Sequence, residues 1–281
     1  MEVIECPSSA FETVLKWRMA GFSVGLVPTM GALHQGHLSL VERAVAECDR
    51  SVATVFVNPT QFGPNEDFSR YPRTLKKDLE YLRSLNIDAV FVPSNESLYP
   101  IGYSTFVEPP EVAWPLEGVF RPGHFRGVAT VVLKLFQILP ATVAYFGQKD
   151  YQQLAVIRRM TQDLNVPIQI QGCPTVREPD GLALSSRNRY LNHSDRMTAT
   201  GLWQALQAVK GLFDSGERAV KQLNRAMAVV LEQHGIHGVD YARVVDAHSL
   251  SEIETVKTSA VALIAARVGQ TRLIDNMSLD P

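Results

Sequence analysis

The fold is decided by residues 22–45, which read FSVGLV, PTMGALHQG and HLSLVERAV. Residues 22–27 form an apolar run that is typical of a buried strand. Residues 28–36 are rich in turn-forming residues, and apolar side chains then recur at helical spacing at Leu38, Val41, Ala44 and Val45. The stretch therefore predicts a strand, a loop and a helix in that order.

The same alternation continues along the chain. Apolar runs predict strands at residues 51–57, 89–92, 142–146 and 168–172, and helical patterns are found at residues 71–85, 127–138 and 150–164. Residues 93–123, rich in Pro, Gly and aromatic side chains, predict irregular structure with no more than one short strand and a turn. Strands that alternate with helices indicate a parallel sheet, so we predict an α/β fold with a Rossmann-like, doubly wound sheet of about five strands.

The pattern changes after Cys173. A polar loop leads to two predicted helices at residues 194–213 and 219–233, followed by two predicted strands at residues 239–245 and 261–266. This arrangement predicts a second, smaller α/β domain. We therefore divide the chain into residues 1–175 and residues 176–281.

Composition excludes several classes of protein. Of the 281 residues, 46% are hydrophobic and 20% are charged, which is typical of a globular chain rather than a disordered one. The 27 Lys and Arg against 29 Asp and Glu give a net charge of -2, so no overall positive field favours nucleic acid or an anionic membrane. Residues 19–41 lack charged side chains, but Pro28 and several glycines interrupt them, which argues against a membrane helix.

The N-terminus and the cysteines indicate a cytoplasmic protein. Glu2 and Glu5 stand where a secretory signal peptide carries basic residues. Cys6, Cys48 and Cys173 are odd in number and have no Cys-x-x-Cys spacing, which disfavours a disulfide framework and a structural zinc site.

The first candidate site lies at residues 28–37, where a predicted strand leads into a helix. Its glycines permit close backbone approach, and a helix start offers N–H groups to an anion. His34 and His37 flank these groups in a His-x-Gly-His motif, which favours phosphate binding. The alternative is that one histidine caps the helix and the other packs.

Three further segments carry candidate side chains. Asn58 and Gln61 follow a predicted strand, and their amides suit hydroxyl or carboxylate groups, although an ordinary Asn-Pro turn followed by an exposed Gln is the alternative. Lys149 and Asp150 follow another strand and suit a phosphate and its magnesium ion, although a capping Asp beside a solvated Lys is the alternative. Residues 121–127 and 184–189 add Arg, His and Ser that suit a polyphosphate, or else form surface loops.

These residues resemble the pantothenate synthetase, or pantoate–β-alanine ligase, family of the His-x-Gly-His nucleotidyltransferase superfamily. The resemblance covers essentially the whole chain, in order, at residues 28–37, 56–62, 71–73, 121–127, 146–154, 180–190 and 273–276. A bare His-x-Gly-His motif is shared with other adenylyltransferases and with class I aminoacyl-tRNA synthetases. The conjunction of all these segments is what makes the resemblance specific.

The resemblance implies a two-step ligase of pantothenate and coenzyme A biosynthesis. Pantoate and ATP form a pantoyl adenylate and pyrophosphate, and β-alanine then gives pantothenate and AMP. The family also implies Mg²⁺ with ATP, no prosthetic group and a homodimer. The smaller C-terminal domain is expected to act as a lid, because a mixed anhydride hydrolyses if water reaches it.

The family's residue roles transfer position by position. His37 matches the residue assigned as general acid, His34 helps to hold the phosphates, and Lys149 completes the catalytic set. Gln61 and Gln153 are implied to bind pantoate, with Gln61 also near β-alanine, and Asp150 is implied as a metal ligand. The implied ATP-binding residues are Met30, Gly31, Ala32, Leu33, His34, Gln35, Gly36, His37, Gly147, Gln148, Lys149, Asp150, Val176, Leu184, Ser185, Ser186 and Arg187.

Two other functions are alternatives to the ligase. An adenylyltransferase of the same superfamily would transfer AMP to a phosphate acceptor and would need no amine. A non-catalytic nucleotide-binding protein is disfavoured, because binding alone would tolerate the loss of several of His34, His37, Lys149 and residues 185–187.

Overall fold

The computed structural model describes residues 1–64 and 66–280, and the described chain forms two compact units. The first unit contains Met1–Gln148 and Gln153–Pro174, and the second contains Lys149–Gln152 and Thr175–Pro281. The main break lies one residue before the predicted boundary. No pattern in the sequence indicates that residues 149–152 pack with the second unit.

Among the described residues, parallel strands form the six-stranded sheet of the first unit. They are β1 (Glu2–Ile4), β2 (Val24–Thr29), β3 (Arg50–Val55), β4 (Ala89–Phe91), β5 (Val143–Gly147) and β6 (Gln169–Cys173). Their order across the sheet is β1-β4-β3-β2-β5-β6. The predicted doubly wound parallel sheet is therefore confirmed.

Helices cover both faces of this sheet. They are α1 (Pro7–Met19), α2 (Gln35–Glu47), α3 (Leu75–Ser84), α4 (Asn95–Leu98), α5 (Glu117–Phe120), α6 (His124–Ile138) and α7 (Tyr151–Asp163). Successive strand residues point to opposite faces. Leu26 and Phe146 accordingly join a core cluster with residues of α1, α6 and α7, whereas Val27 and Tyr145 join one with α2 and α3.

The second unit packs two long helices on an antiparallel sheet. Its elements are α8 (His193–Asp214), α9 (Val220–Gln233), β7 (Gly238–Asp246), β8 (Ala260–Val268) and β9 (Thr271–Leu279). The described strands pair in the order β7-β8-β9. Buried side chains from α8, α9 and all three strands form a separate core, of which Leu206, Leu223 and Ile264 are fully buried members.

Most predicted elements begin or end one to four residues from the expected positions, and at two of them a proline bears on the difference. β2 extends through Pro28 instead of ending at residue 27. Proline is tolerated there because β5 pairs with β2 only at Gly25 and Leu26 in the described ladder, so one side of the strand is open at Pro28. α3 begins at Leu75 rather than at residue 71, because Pro72 disfavours the helical conformation for the residue before it.

The sequence analysis did not predict β1, α1, β9 or the short helices α4 and α5. Polar residues interrupt the apolar pattern of β9, which hides it from a search for apolar runs. Between residues 93 and 123, all of them described, short helices interrupt the irregular structure and no strand forms. Cys6, Cys48 and Cys173 are free thiols. None of the described helices has the length and apolar character needed to cross a membrane.

Candidate active site

The strand order of the first sheet reverses at β2. β3 and β4 continue the sheet on one side of β2, and β5 and β6 continue it on the other. In open parallel sheets, ligands bind beyond the carboxyl ends of the strands at such a reversal. We therefore expect a binding site at the turns that follow β2, at Met30, and β5, at Gln148.

The turn that leaves β2 is held by a buried carboxylate. Asp78 of α3 is 1% exposed, and it accepts the N–H of Ala32 at 3.0 Å and that of Leu33 at 2.8 Å. The hydroxyl of Thr74 donates to both carboxylate oxygens at 3.2 Å. Gly31 and Ala32 have φ angles of 78° and 50°, so this turn is left-handed at two successive residues.

Other N–H groups of the turn are also used within the chain. Gly31 donates to the hydroxyl of Thr29 at 3.2 Å, and Gly36 donates to Nδ1 of His34 at 3.2 Å. The expectation that this turn offers free N–H groups to phosphate is therefore wrong at these positions and at the two bound by Asp78. These four N–H groups are therefore already used within the chain.

His34 caps α2 and also lies beside His37. Because Nδ1 of His34 accepts the N–H of Gly36, that nitrogen carries no proton, and the neutral ring has its proton on Nε2. The ring centroids of His34 and His37 are 4.1 Å apart, and the ring planes are tilted by 40°. The alternative of a capping histidine is thus correct for His34, and the cap leaves an N–H donor on the opposite side of the ring.

Gln61 is buried in the turn that follows β3, and its amide has a defined orientation. Its Oε1 accepts from Nδ2 of Asn58 at 3.1 Å, and the same Nδ2 also donates to the carbonyl of Gly127 at 3.2 Å. Since a carbonyl only accepts, Asn58 must present Nδ2 on this side. Gln61 therefore points Nε2 outward, toward the weak acceptor Sδ of Met30 at 3.1 Å.

The other side of the Asn58 amide is held by two hydroxyl groups. Tyr99 donates to Oδ1 of Asn58 at 2.8 Å, and Thr60 donates to it at 2.9 Å. Burial raises the pKa of Tyr99 to about 12, so its hydroxyl keeps the proton that it donates. Gly127 is required nearby, because a Cβ at this position would lie 2.2 Å from the carbonyl oxygen of Thr60.

His124 fixes the backbone of Gln61. Its Nδ1 lies 2.9 Å from the carbonyl oxygen of Gln61, and its Nε2 lies 3.1 Å from Nη1 of Arg121. A carbonyl only accepts and a guanidinium only donates, so the ring is neutral with its proton on Nδ1. Burial, and then the positive charge of Arg121, lower the pKa of His124 to about 4.

Residues 121–127 use their cationic groups within the first unit. Arg121 forms a bidentate pair with Glu66 at 2.6 and 2.7 Å, and the guanidinium of Arg126 stacks 3.9 Å from the ring centroid of Phe106. The interpretation of this segment as a set of polyphosphate ligands is therefore not supported by its hydrogen bonds. Its role in this structure is to hold the turn that carries Gln61.

The second unit holds Lys149 by its backbone. Nδ2 of Asn276 donates to the carbonyl of Lys149 at 2.8 Å. The neighbouring Asp275, 2% exposed, forms a bidentate pair with Arg177 at 2.7 and 2.9 Å. The guanidinium of Arg177 also stacks 3.9 Å from the ring centroid of Trp203. The segment 273–276, to which the sequence assigned no role, thus positions two candidate nucleotide-binding segments.

The remaining candidates of the second unit lie on one connected loop. Leu184 donates its N–H to the carbonyl of Val176 at 3.0 Å, which brings these two residues together. Ser185 caps a 3-10 helix, Ser186–Tyr190, and accepts the N–H of Arg187 at 3.2 Å. Ser186 is buried, and Arg187 is half-buried.

The other candidates, apart from Gln35 of α2, lie near the carboxyl end of β5. Gly147 ends β5, and Gln148, Lys149 and Asp150 form a 3-10 turn before α7. Asp150 is exposed, and Gln153 is half-buried in the first turn of α7; Gln35 is exposed at the start of α2. Within residues 1–64 and 66–280, no three His, Cys, Asp or Glu side chains form a metal-binding group.

Comparison with known proteins places the whole chain in one family. A model of the pantoate-beta-alanine ligase family matches residues 2–278. The chain belongs to the pantoate–β-alanine ligase family. It is 57% identical over 258 residues to the pantothenate synthetase of Roseiflexus castenholzii, covering 92% of this chain and 93% of that protein.

Solved structures of the pantoate–β-alanine ligase family agree with the fold. The crystal structure of pantothenate synthetase from Thermus thermophilus matches with a TM-score of 0.92 at 44% identity, over 100% of both chains. The ligase from Francisella tularensis, complexed with β-γ ATP and β-alanine, matches with a TM-score of 0.79 at 35% identity, over 99% of this chain and 97% of that one.

Sequence reasoning missed several residues that hold the candidate site in place. Asp78 left a visible signal, since it lies three residues from both Leu75 and Tyr81 and four from Leu82, on the helix face that carries the buried Leu82. A charged residue at a core-facing position needs a partner. Tyr99 and Asn276 left no such signal, because their partners are distant in the chain.

Proposed function

We propose that the protein joins pantoate to β-alanine in an ATP-dependent reaction that releases AMP and pyrophosphate. The observation that carries this proposal is the match of residues 2–278 to the pantoate–β-alanine ligase family. The paired rings of His34 and His37, at the reversal of the strand order, supply the expected nucleotide-binding chemistry.

In the first step, a carboxylate oxygen of pantoate attacks the α-phosphorus of ATP. A new P–O bond forms, the bond to the β-phosphate oxygen breaks, and pyrophosphate leaves with the electron pair. Negative charge increases on the phosphorus oxygens and on the leaving group, so fixed donors there lower the barrier more than they strengthen ATP binding. We assign this role to His34, His37, Lys149, Ser186 and Arg187.

In the second step, the neutral amine of β-alanine attacks the acyl carbon of pantoyl adenylate. The C–N bond forms, the C–O bond to AMP breaks, and the nitrogen loses its extra proton to solvent water. Because AMP leaves with the electron pair, His37 is proposed as the general acid toward the phosphate side.

Pantoate recognition is assigned to Gln61 and Gln153. The orientation of the Gln61 amide supports this assignment, since Asn58 occupies Oε1 and leaves Nε2 as a donor. A buried amide donor suits the hydroxyl and carboxylate oxygens of pantoate. An enzyme whose site hydrogen-bonds such groups discriminates strongly against analogues that lack them.

Mg²⁺ is proposed to enter with ATP. Asp150 offers one exposed carboxylate, and the described residues contain no cluster of three ligating side chains. Mg²⁺ is commonly bound by one or two carboxylates together with substrate phosphates, so this donor set fits a metal carried mainly by the nucleotide. The metal would supply charge neutralisation for the departing pyrophosphate.

A homodimer is proposed for the protein in solution. The segment between β4 and α6 exposes large apolar side chains: Ile101, Trp114, Val119 and Phe120. Aromatic and aliphatic side chains of this kind are enriched in the centres of interfaces. Sedimentation equilibrium of the wild type and of Trp114→Glu tests this, and a wild-type monomer at micromolar concentration would contradict it.

We further propose that the enzyme acts in the cytoplasm, where ATP is supplied. We also propose that the second unit shields the adenylate from water. Shielding predicts slow release of AMP when ATP and pantoate are present without β-alanine. Rapid ATP hydrolysis under these conditions would contradict a lid.

The function is tested by product analysis. With ATP, Mg²⁺, pantoate and β-alanine, we expect pantothenate and AMP in equal amounts by mass spectrometry. Omission of either pantoate or β-alanine should abolish pantothenate. AMP transfer to nicotinate mononucleotide or phosphopantetheine, with no pantothenate formed, would instead support the phosphate-acceptor enzyme.

A further inference from the structure

We infer that Asp78 is a positioning residue for adenylate formation, because its buried carboxylate fixes the turn that carries His34 and His37. The effect on catalysis rests on the proposed function, whereas the effect on the position of the turn does not. Asp78 is not expected to touch a substrate, since its carboxylate is already bound by donors of the protein itself.

The carboxylate of Asp78 is bound by hydrogen-bond donors of the protein itself, as an anion in a binding site would be. Its two oxygens accept two successive N–H groups, from Ala32 and Leu33, and the hydroxyl of Thr74. Charge-assisted hydrogen bonds of this kind are stronger than neutral ones. They offset the cost of burying a carboxylate that is only 1% exposed.

The turn needs this support because its backbone is strained. Gly31 and Ala32 both have positive φ angles, and alanine rarely adopts this conformation. Such strain persists where the surroundings over-determine the backbone. A Cβ on Gly31 would lie 3.1 Å from Oδ2 of Asp78 and 3.0 Å from Val55, so the carboxylate and β3 also confine the turn sterically.

The position of the turn determines the position of the histidines. Leu33, bound by Oδ1 of Asp78, directly precedes His34, which caps α2 and contacts His37. Without Asp78 the N–H groups of Ala32 and Leu33 would also become available to phosphate. Asp78 therefore sets the place of the imidazoles.

The test compares Asp78→Asn with Asp88→Asn. Asp88 is a matched control, because its carboxylate accepts the N–H of Ser51 at 2.8 Å and the hydroxyl of Ser51 at 3.2 Å at the opposite, amino end of β3. Asparagine at position 78 places an NH₂ group against a main-chain N–H, so the turn should shift. A displacement of about 1 Å at reacting groups costs about 100-fold in rate.

For Asp78→Asn we expect kcat for pantoate-dependent pyrophosphate exchange to fall about 10- to 100-fold, with the KM of pantoate changed less than about threefold. Asp88→Asn should keep kcat within about twofold of the wild type, even if its melting temperature falls as much as that of Asp78→Asn. A kcat for Asp78→Asn that equals that of Asp88→Asn would overturn the inference.

Thr74→Val serves if Asp78→Asn does not fold. It removes one donor to the carboxylate and keeps the side-chain shape, and we expect a smaller loss of kcat of about threefold. An unchanged kcat in folded Thr74→Val would count against the positioning role.

A spectroscopic arm separates this inference from the proposed function. In Asp78→Asn, the amide proton resonances of Ala32 and Leu33 should move upfield, and the ring resonances of His34 and His37 should shift, while those of His234 in the second unit stay. If the wild type fails to exchange pyrophosphate, the proposed function fails, and these resonances still test the positioning. Unchanged His34 and His37 resonances would overturn it.

Discussion

Asn276 donates its side-chain N–H to the main-chain carbonyl of Lys149 at 2.8 Å, so a residue of the last strand holds the backbone of a candidate catalytic lysine. Asn276 is 8% exposed, and its neighbour Asp275 is tied to Arg177 by two hydrogen bonds. The main chain at Lys149 is therefore held by a buried, charge-paired part of the second unit.

Asn276→Ala should lower kcat for adenylate formation about tenfold, since the main chain at Lys149 loses a hydrogen bond that holds it in position and a lost buried hydrogen bond costs about 1–3 kcal/mol. Steady-state kinetics with varied ATP measures the effect. Asn224→Ala is the control, because Asn224 likewise holds a backbone group, the N–H of Val244 at 2.8 Å. Equal losses of kcat in the two variants would mean that only general stability is affected.

Lys149→Ala should lower kcat for adenylate formation about 100-fold, because its ammonium group is proposed to stabilise charge that develops in the transition state. The KM of ATP should change far less. Single-turnover rates and KM values of this variant distinguish transition-state stabilisation from ATP binding. Lys221→Ala, at an exposed position of α9, is the control for the loss of a lysine charge. An effect confined to KM would show that Lys149 contributes only uniform binding.

Gln61→Glu should raise the KM of pantoate about tenfold or more, while the KM of ATP stays near the wild-type value. The substitution replaces the outward Nε2 donor by a carboxylate oxygen, which repels the carboxylate of pantoate. Gln169→Glu, at an exposed position of β6, controls for the added charge. Gln153→Ala should also raise the KM of pantoate; unchanged kinetics would remove Gln153 from the pantoate site.

Acid should destabilise the first unit through His124. Its pKa is about 4 in the folded protein against an ordinary value of 6.5, so between these values the unfolded chain binds a proton that the folded chain does not. The free energy of unfolding therefore falls as the pH drops from 6.5 to 4, by about 3 kcal/mol from this group.

Urea titrations from pH 7.5 to pH 4 measure this effect. In His124→Asn the amide can still donate to the carbonyl of Gln61. The free energy of unfolding of this variant should therefore fall by about 3 kcal/mol less than that of the wild type over this pH range. His234→Asn, at a half-buried ring that bonds to Gln204, controls for the loss of a histidine elsewhere in the chain. Parallel slopes for wild type and His124→Asn would show that His124 does not titrate as proposed.

The sequence predicted the part of the fold that depends on local pattern. The stretch from Phe22 to Val45 contains a strand, a turn and a helix in the predicted order, because apolar periodicity and turn residues act over short distances. The exact ends of most elements differed by one to four residues, and near Pro28 and Pro72 a single proline bears on the difference. The family resemblance was confirmed over the whole chain.

The hydrogen-bonded support of the site was not predictable in the same way. Asp78 and Ala32 are 46 residues apart, and Asn276 and Lys149 are 127 residues apart. No periodicity links such pairs, and only the tertiary fold brings them together. The N–H groups of the turn after β2 illustrate the consequence: their residue types suggested a phosphate cradle, whereas Asp78 occupies part of it.

Pantoate-dependent exchange of labelled pyrophosphate into ATP tests the central claim most directly. With Mg²⁺ present and β-alanine absent, we predict exchange that requires pantoate, followed by stoichiometric pantothenate and AMP when β-alanine is added. Exchange that proceeds without pantoate, or no exchange and no pantothenate with all three substrates, would contradict the account.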